Sequence, residues 1–246
     1  PGPHPAIVIS HGSERGERND FFREQLRTFF ASQGIIALTY DKRGVGDSGG
    51  TYRESASEEN LTLLAQDVLA GVGYLQTRPE VDGTKIGLIG GSQAGWVLPL
   101  AAQSEAVAFF IIISGPVVST GIENSYSELT NDGDSPSQYT PEQISKQLAE
   151  RTPYGFDPVP ILATLPQPGL WLFGGVDQSI PVPESVVNLE ALIVAGQGNF
   201  SYAVYPGLDH NLQVAEQGLF REIPFSSGFG EEVFARILAW VREVVE

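Results

Sequence analysis

One serine, one aspartate and one histidine of this chain each closely follow a short apolar run, and together they have the chemistry of nucleophilic acyl transfer. Ser92 lies in "IGGSQAGW", Asp177 in "LFGGVDQSIP" and His210 in "YPGLDHNL". A serine hydroxyl becomes a nucleophile when a base takes its proton, and a carboxylate orients and stabilises that base. We therefore interpret Ser92 as the nucleophile, His210 as the base and Asp177 as the orienting acid.

The residues around Ser92 predict a sharp turn between a strand and a helix. Gly90 and Ala94 stand two places before and after the serine, and Ala94 replaces the second glycine that such turns usually carry. On this turn the serine hydroxyl projects above the sheet edge, and the N–H groups of the following helix point to the same place. Because so short a motif also occurs by chance, a purely structural turn is the alternative.

The assignment of base and acid follows from the positions of the histidines. His4 lies in a proline-rich start, and His11 follows the first predicted strand in "SHGS", where we expect it to shape a loop and transfer no proton. His210 follows the last predicted strand, and a surface histidine without a role is the alternative for it. Asp209 is its sequence neighbour, but adjacent side chains rarely reach the geometry required at Nδ1, so Asp177 is the better candidate.

The tetrahedral oxyanion formed by such an attack needs two N–H donors. We expect one from the backbone of Gln93, the residue after the nucleophile. We expect the other from Ser13, in the loop that follows the first predicted strand, where Gly12 allows the backbone to pass close to the serine.

The elements that must position these residues alternate along the chain. Apolar runs predict strands at 6–12, 35–44, 85–91, 108–115, 169–175 and 200–207. Apolar residues at helical spacing predict helices over 21–30, 61–75, 97–102, 183–194 and 233–245, the second of them after a capping box from Ser55 to Glu58. Strands that are apolar throughout and alternate with helices predict an α/β fold with a mostly parallel, doubly wound sheet.

Residues 117–167 interrupt this alternation with many turn-forming residues and one predicted helix over 141–151. We expect a lid that covers Ser92 and forms one wall of an acyl pocket, because long inserts in compact domains commonly bind ligands. A surface excursion without function is the alternative. Four aromatic residues are candidates for the pocket lining, although aromatic residues in such places are as often core: Trp96, Tyr126, Tyr139 and Phe156.

The composition narrows the function and the partners. The chain has 246 residues, which suits a single domain over 1–246, and a formal net charge of −16, which disfavours nucleic acid and anionic membranes as partners. It has no cysteine and only three scattered histidines, so we expect neither a disulfide nor a metal site. No apolar run approaches the roughly 18 residues of a membrane span, and no signal sequence opens the chain. Since it has no methionine, we expect a processed or trimmed chain, and its compartment and oligomeric state stay open.

The chain resembles the α/β-hydrolase superfamily, and within it the dienelactone-hydrolase, acyl-peptidase-like and esterase branches. Four pieces carry the resemblance in order: "HGS", "DKRGVGDSGG", "GGSQAG" and the pair "GGVDQSIP" and "GLDH". The resemblance implies an α/β-hydrolase fold with a triad in the order serine, aspartate, histidine. It also implies that Arg43 and Asp47 brace a loop as a pair. The two antiparallel strands that often begin such folds would be missing or supplied by a partner.

These observations favour a serine hydrolase that cleaves small-molecule carboxylic esters with short acyl chains through an acyl-enzyme intermediate, without a cofactor. The alternatives among enzymes are a peptidase of the prolyl-oligopeptidase type, an acyltransferase or a thioesterase. A non-catalytic binding protein with the same fold is a further alternative, and the presence of all three triad candidates disfavours it.

Overall fold

Six parallel strands form one sheet in the part of the chain that the computed structural model describes, residues 2–197, 199–220, 222 and 228–245. They are β1 (His4–Ile9), β2 (Ile36–Leu38), β3 (Val81–Gly91), β4 (Phe109–Ile113), β5 (Gly169–Gly174) and β6 (Phe200–Tyr205). Their order is β2-β1-β3-β4-β5-β6, and each neighbouring pair is parallel. The predicted parallel sheet is confirmed, and each predicted run overlaps one strand.

Helices cover both faces of this sheet. They are α1 (Phe21–Ser32), α2 (Glu58–Gln76), α3 (Ala94–Ala102), α4 (Thr120–Thr130), α5 (Pro141–Ala149), α6 (Val159–Leu162), α7 (Val182–Val194) and α8 (Glu231–Val245). In β1, Ala6 and Val8 join the core beneath α2, α3 and α7, whereas Ile7 and Ile9 join the core beneath α1 and α8. Successive side chains of a strand point to opposite faces, so burial on both faces explains the uninterrupted apolar runs. Within the described residues no helix is both long and apolar enough to cross a membrane.

The start of α2 differs from its predicted cap. The helix begins at Glu58, and the side chain of Ser57 accepts a hydrogen bond from the backbone N–H of Asn60. Ser55 lies outside the helix, where its hydroxyl accepts from the N–H of Ser57 at 3.0 Å. The capping box from Ser55 to Glu58 is therefore wrong, because the extended residue that precedes the first turn is Ser57.

The segment 117–167 contains α4, α5 and α6, whereas the sequence predicts only α5. Helices α4 and α5 pack through a small apolar cluster of their own, made of Tyr126, Leu129, Ile144 and Leu148. Most residues of α4 ("TGIENSYSELT") are polar, and its apolar positions form only a short stripe, so the sequence does not reveal this helix. This cluster is separate from the two cores that flank the sheet.

The parallel arrangement brings the candidate residues to one edge of the sheet. The loops after β1, β3, β5 and β6 leave from the carboxyl ends of their strands, and they carry Ser13, Ser92, Asp177 and His210. This is the edge at which open α/β sheets bind ligands.

Candidate active site

Ser92 directly follows β3 and has a backbone conformation that mainly glycine adopts. Its φ is 53°. Its N–H donates to the carbonyl of Ile113 at the end of β4 (2.9 Å), and its carbonyl accepts from the N–H of Gly95 in α3 (2.8 Å). A left-handed conformation costs an ordinary residue roughly 1–2 kcal/mol, and such strain concentrates at functional sites.

Close packing explains the small residues beside Ser92. A Cβ atom at Gly90 would lie 2.6 Å from the Cβ of Ala94, and one at Gly95 would lie 2.6 Å from the backbone nitrogen of Pro116. The first turn of α3 therefore sits directly against β3 and against the segment after β4. Larger side chains would push the helix away and release the turn that carries Ser92.

His210 and Asp177 meet although 33 positions separate them in the sequence. The Nδ1 atom of His210 lies 2.8 Å from Oδ2 of Asp177, whose side chain is fully buried. The other carboxylate oxygen, Oδ1, accepts from the backbone N–H groups of Ser179 (2.7 Å) and Ile180 (3.1 Å). Asp177 is thus held by its own loop and aims one oxygen at the ring.

The charges around His210 favour its protonated form. Burial disfavours the imidazolium, but the charge and the hydrogen bond of Asp177 oppose burial, with additional contributions from Asp132 and Asp209. The pKa of His210 is therefore raised above its usual value. A base of this kind takes up a proton more readily than a free imidazole does.

Asp209 has a different role from Asp177. Its Oδ1 accepts hydrogen bonds from the backbone N–H groups of Asn211 (2.8 Å) and Gln213 (2.9 Å). It therefore closes the loop that carries His210, and burial raises its pKa.

The loop after β1 passes close to Ser92. A Cβ atom at Gly12 would lie 3.4 Å from the Cβ of Ser92. Within the described residues, no backbone hydrogen bond engages the N–H of Ser13 or the N–H of Gln93. Ser13 borders the same cavity as Ser92, and Gln93 is buried at the start of α3. Two free donors next to the serine are what an oxyanion hole requires.

His11 holds the start of this loop from beneath. Its Nε2 lies 2.7 Å from the carbonyl of Tyr40, which requires a proton on that nitrogen and leaves Nδ1 as an acceptor. Arg23 of α1 donates to this Nδ1, to Glu14 and to Asp20. Because Nδ1 accepts from the Arg23 guanidinium, the ring is neutral, and burial lowers the pKa of His11 in agreement with this. These contacts agree with a loop-shaping histidine.

Three residues at the site have no counterpart in the sequence-based assignment. Arg23 is 1% exposed, and its only sequence signal is its place on the apolar stripe of α1 with Leu26 and Phe30. Lys42 is 2% exposed and donates to the carbonyl of Gly12. The Tyr52 hydroxyl donates to the carbonyl of Ser13 at 2.7 Å.

The "DKRGVGDSGG" segment braces its surroundings, but not through a contact between Arg43 and Asp47. Arg43 binds Asp67 of α2, with Nε 2.9 Å from Oδ2. Asp47 binds Arg18, which also binds Asp41. The expected pair is therefore wrong, because each side chain reaches an element outside the segment.

A cavity of about 730 Å³ lies over Ser92 and His210. The loop before α1 and the first turn of α1 form much of its wall, including Glu14, Arg15, Asp20, Phe22 and Arg23. Ile113, Phe220 and Phe229 add an apolar patch. From the segment 117–167, only Asp132 borders the cavity in the described part of the chain.

The four aromatic candidates for the pocket lining lie elsewhere, and this expectation is corrected. Trp96 and Phe156 belong to the core beneath α2, α3 and α7, and the Trp96 indole donates to the carbonyl of Val118 at 2.9 Å. Tyr126 and Tyr139 pack in the cluster of α4 and α5. Trp96 on α3 and Tyr126 on α4 point inward, a direction that spacing alone does not reveal.

Comparison with known proteins identifies the family. Residues 21–245 match the prolyl oligopeptidase family. The chain is 25% identical over 250 aligned residues to esterase EstD of Thermotoga maritima, covering 88% of this chain and 56% of EstD. It is 36% identical over 107 residues to polyketide transferase claH of Penicillium crustosum, covering 44% of this chain and 34% of claH. The chain thus spans about a third of the length of claH and somewhat more than half of the length of EstD.

Solved structures share the fold. The Pyrococcus furiosus esterase Pf2001 superposes with a TM-score of 0.67 at 18% identity, covering 98% of this chain and 84% of Pf2001. Est1E of Butyrivibrio proteoclasticus, solved with ferulic acid, gives a TM-score of 0.66 at 18% identity over 100% of this chain and 91% of Est1E. Both superpositions support the α/β-hydrolase fold, and the match over 21–245 means that this chain belongs to the prolyl oligopeptidase family.

Proposed function

We propose that residues 1–246 form one catalytic domain of a serine hydrolase that cleaves carboxylic esters with short acyl groups. The observation that carries this proposal is a single cavity bordered by Ser92 on a strained turn and by His210, whose ring is paired with Asp177. EstD and Pf2001, both named as esterases, add support from sequence and fold.

In the proposed mechanism, Ser92 Oγ attacks the ester carbonyl while Nε2 of His210 takes the hydroxyl proton. The carboxylate of Asp177 holds the ring by Nδ1 and stabilises the imidazolium that forms. The N–H groups of Ser13 and Gln93 donate to the oxyanion. Collapse expels the alcohol, protonated by His210, and leaves an acyl-enzyme. Water activated by the same histidine then releases the acid and restores Ser92.

The cavity wall supports a short acyl chain. Its apolar part is a patch of Phe22, Ile113, Phe220 and Phe229, and the rest of the wall is polar, with charged side chains at Glu14, Arg15, Glu17, Asp20, Arg23 and Asp132. A long hydrocarbon chain would extend past this patch onto charged groups and leave them without water. We expect acetyl, butyryl and small aryl groups to stay within the patch and so to avoid that cost.

We propose that the segment 117–167 supports the acid loop more than it covers the nucleophile. The Tyr126 hydroxyl donates to the carbonyl of Asp177, and Thr130 donates to the carbonyl of Gln178. Ser179 donates to Asp132 at 2.6 Å. Each of these bonds joins the segment to the loop after β5, which favours a bracing role over the lid expected from sequence.

A peptidase is the second candidate, and the family itself favours it. The family that matches residues 21–245 is the prolyl oligopeptidase family, which takes its name from a peptidase. Dipeptidyl-peptidase 5 of Porphyromonas gingivalis is 32% identical over 95 residues, which cover 38% of this chain and 14% of that protein. The same triad and oxyanion donors cleave amides, so the site chemistry alone permits both activities.

The test compares esters and amides on wild-type protein and Ser92→Ala. We expect hydrolysis of p-nitrophenyl acetate and butyrate to exceed that of the octanoate ester and of acetyl-alanine p-nitroanilide. We expect Ser92→Ala to lose several orders of magnitude in rate. A fluorophosphonate probe should label the wild-type protein and leave Ser92→Ala unlabelled.

Ser104→Ala provides the control, because Ser104 follows α3 outside the cavity. It should retain wild-type rates and labelling. Faster cleavage of the anilide than of the esters would favour the peptidase. Equal labelling of wild type and Ser92→Ala would overturn the nucleophile assignment.

A further inference from the structure

Lys42 lies between the two backbone segments that would form the oxyanion hole. Its Nζ donates to the carbonyl of Gly12, in the loop after β1. The same Nζ lies 3.2 Å from Oε1 of Gln93, at the start of α3. The side chain of Lys42 is 2% exposed, so water does not compete for these contacts.

We propose that Lys42 is a positioning residue for the two oxyanion donors: it directs the Ser13 N–H through the Gly12 carbonyl, and it ties that loop to the side chain of Gln93, whose N–H is the second donor. This inference rests on the proposed hydrolase function and assigns to the "DKRG" segment a task in that reaction. Lys42 does not touch the substrate in this arrangement. It acts through Gly12 and Gln93.

The first reason is peptide geometry. The carbonyl of Gly12 and the N–H of Ser13 belong to one planar trans peptide, in which C=O and N–H point to opposite sides. When Lys42 holds the carbonyl on its own side, it directs the N–H of Ser13 away from itself. A charged donor on the carbonyl also polarises the amide, which makes its N–H a stronger donor to an oxyanion.

The second reason is that Lys42 and the nearby Tyr52 make further hydrogen bonds to the loop after β1. The backbone N–H of Lys42 donates to the carbonyl of Gly16 at 3.0 Å. The hydroxyl of Tyr52 donates to the carbonyl of Ser13 at 2.7 Å. Lys42 and Tyr52 thus fix two successive carbonyls of the loop, those of Gly12 and Ser13, so we expect the loop to keep one conformation before substrate arrives. Preorganised donors of this kind avoid reorganisation during the reaction.

The surroundings of Lys42 lower the pKa of its ammonium group. The groups that face its ammonium are Glu14, Arg23 and the ring of Tyr52, which is 5.5 Å from Nζ. Burial lowers the pKa of Lys42, Glu14 opposes burial, and Arg23 adds to it, so that the pKa lies at about 8. Loss of the proton would weaken both contacts, because a neutral amine is a poorer donor.

The experiment compares Lys42→Met and Lys42→Arg with wild type on p-nitrophenyl acetate and on a trifluoromethyl ketone, whose adduct with the serine carries an oxyanion. Loss of one oxyanion donor costs about 10²–10³-fold in kcat, so we expect Lys42→Met to lose on the order of 10²-fold with little change in KM. The ketone Ki should weaken by a similar factor, because only the tetrahedral state uses the hole. Lys42→Arg should recover much of both.

The ketone separates positioning from damage to the fold. A variant that is partly unfolded loses active sites and kcat, but its remaining sites keep the wild-type Ki. Lys146→Met, an exposed lysine on α5, is the matched control and should behave as wild type. Wild-type kcat and Ki in Lys42→Met would overturn the inference and leave the hydrolase proposal intact. A wild-type protein that neither hydrolyses esters nor reacts with fluorophosphonate would overturn both.

A wild-type measurement decides the matter if Lys42→Met does not fold. We expect kcat to fall as pH rises through about 8, the pKa of Lys42, while KM changes little. In Lys42→Arg this alkaline fall should move upward, since arginine stays protonated. An alkaline limb that is the same in wild type and Lys42→Arg would contradict the role of the ammonium.

Discussion

The hydroxyl of Tyr126 donates a 2.8 Å hydrogen bond to the backbone carbonyl of Asp177, 51 positions further along the chain. Tyr126 is buried in α4, and Asp177 follows β5. This bond ties the irregular segment between β4 and β5 to the loop that presents the carboxylate to His210. This contact therefore couples the stability of the segment to the geometry of the site.

We expect Tyr126→Phe to lower the free energy of unfolding by about 1–2 kcal/mol, because it leaves a buried carbonyl without its donor. Its kcat should fall modestly as Asp177 loosens. Urea denaturation and steady-state kinetics measure both effects. Tyr139→Phe is the control, since its hydroxyl makes no hydrogen bond within the described residues and its ring lies in the same cluster. Equal losses in the two variants would show that the bond to Asp177 has no special weight.

Asp177→Asn and Asp209→Asn should differ sharply. The first removes the carboxylate that fixes the His210 tautomer, and we expect a loss of roughly 10⁴-fold in kcat, the size known for such a change in serine proteases. The second keeps an oxygen that accepts from the N–H groups of Asn211 and Gln213, so its kcat should change little. Ester kinetics on both variants checks the ranking, with circular dichroism to confirm folding. The reverse order would reassign the acid.

The pH dependence should reflect the raised pKa of His210. Only the neutral ring takes the serine proton, so kcat/KM should fall as pH drops through a midpoint above about 6.5, the ordinary histidine value. Burial alone would move the midpoint down, but Asp177, with Asp132 and Asp209, moves it up. Asp132→Asn should lower the midpoint while retaining the triad. A pH-stat assay from pH 5 to 8 gives both curves, and an unchanged midpoint in Asp132→Asn would argue against this electrostatic account.

The parts of the site that the sequence predicts are the parts set by local order. Ser92, Asp177 and His210 each follow an apolar run within a few residues, and parallel strands bring such positions to one edge. The small residues around Ser92 directly indicate the tight turn. Fold class and candidate triad are therefore readable without coordinates.

The parts that the sequence misses depend on long-range contacts. Lys42 reaches Gly12 across 30 positions and Gln93 across 51, and nothing near "DKRG" indicates either partner. Trp96 and Phe156 pack inward because of the way α3 and the segment before α6 sit on the sheet. Helix and strand patterns describe an element, whereas a cavity wall depends on which faces of several elements meet.

Backbone strain at Ser92 gives the last prediction. Ser92→Ala and Ser92→Gly both remove the hydroxyl, but only glycine adopts a φ of 53° without steric cost. Relief of that cost outweighs the extra freedom of glycine in the unfolded chain, so we expect Ser92→Gly to be more stable than Ser92→Ala by about 1 kcal/mol. Urea denaturation of the two inactive variants measures the difference. Ser104→Gly against Ser104→Ala, at a position of ordinary φ, should favour alanine. If Ser92→Gly were less stable than Ser92→Ala, the backbone at position 92 would carry no steric strain. The turn would then hold its conformation without stabilisation from the rest of the fold.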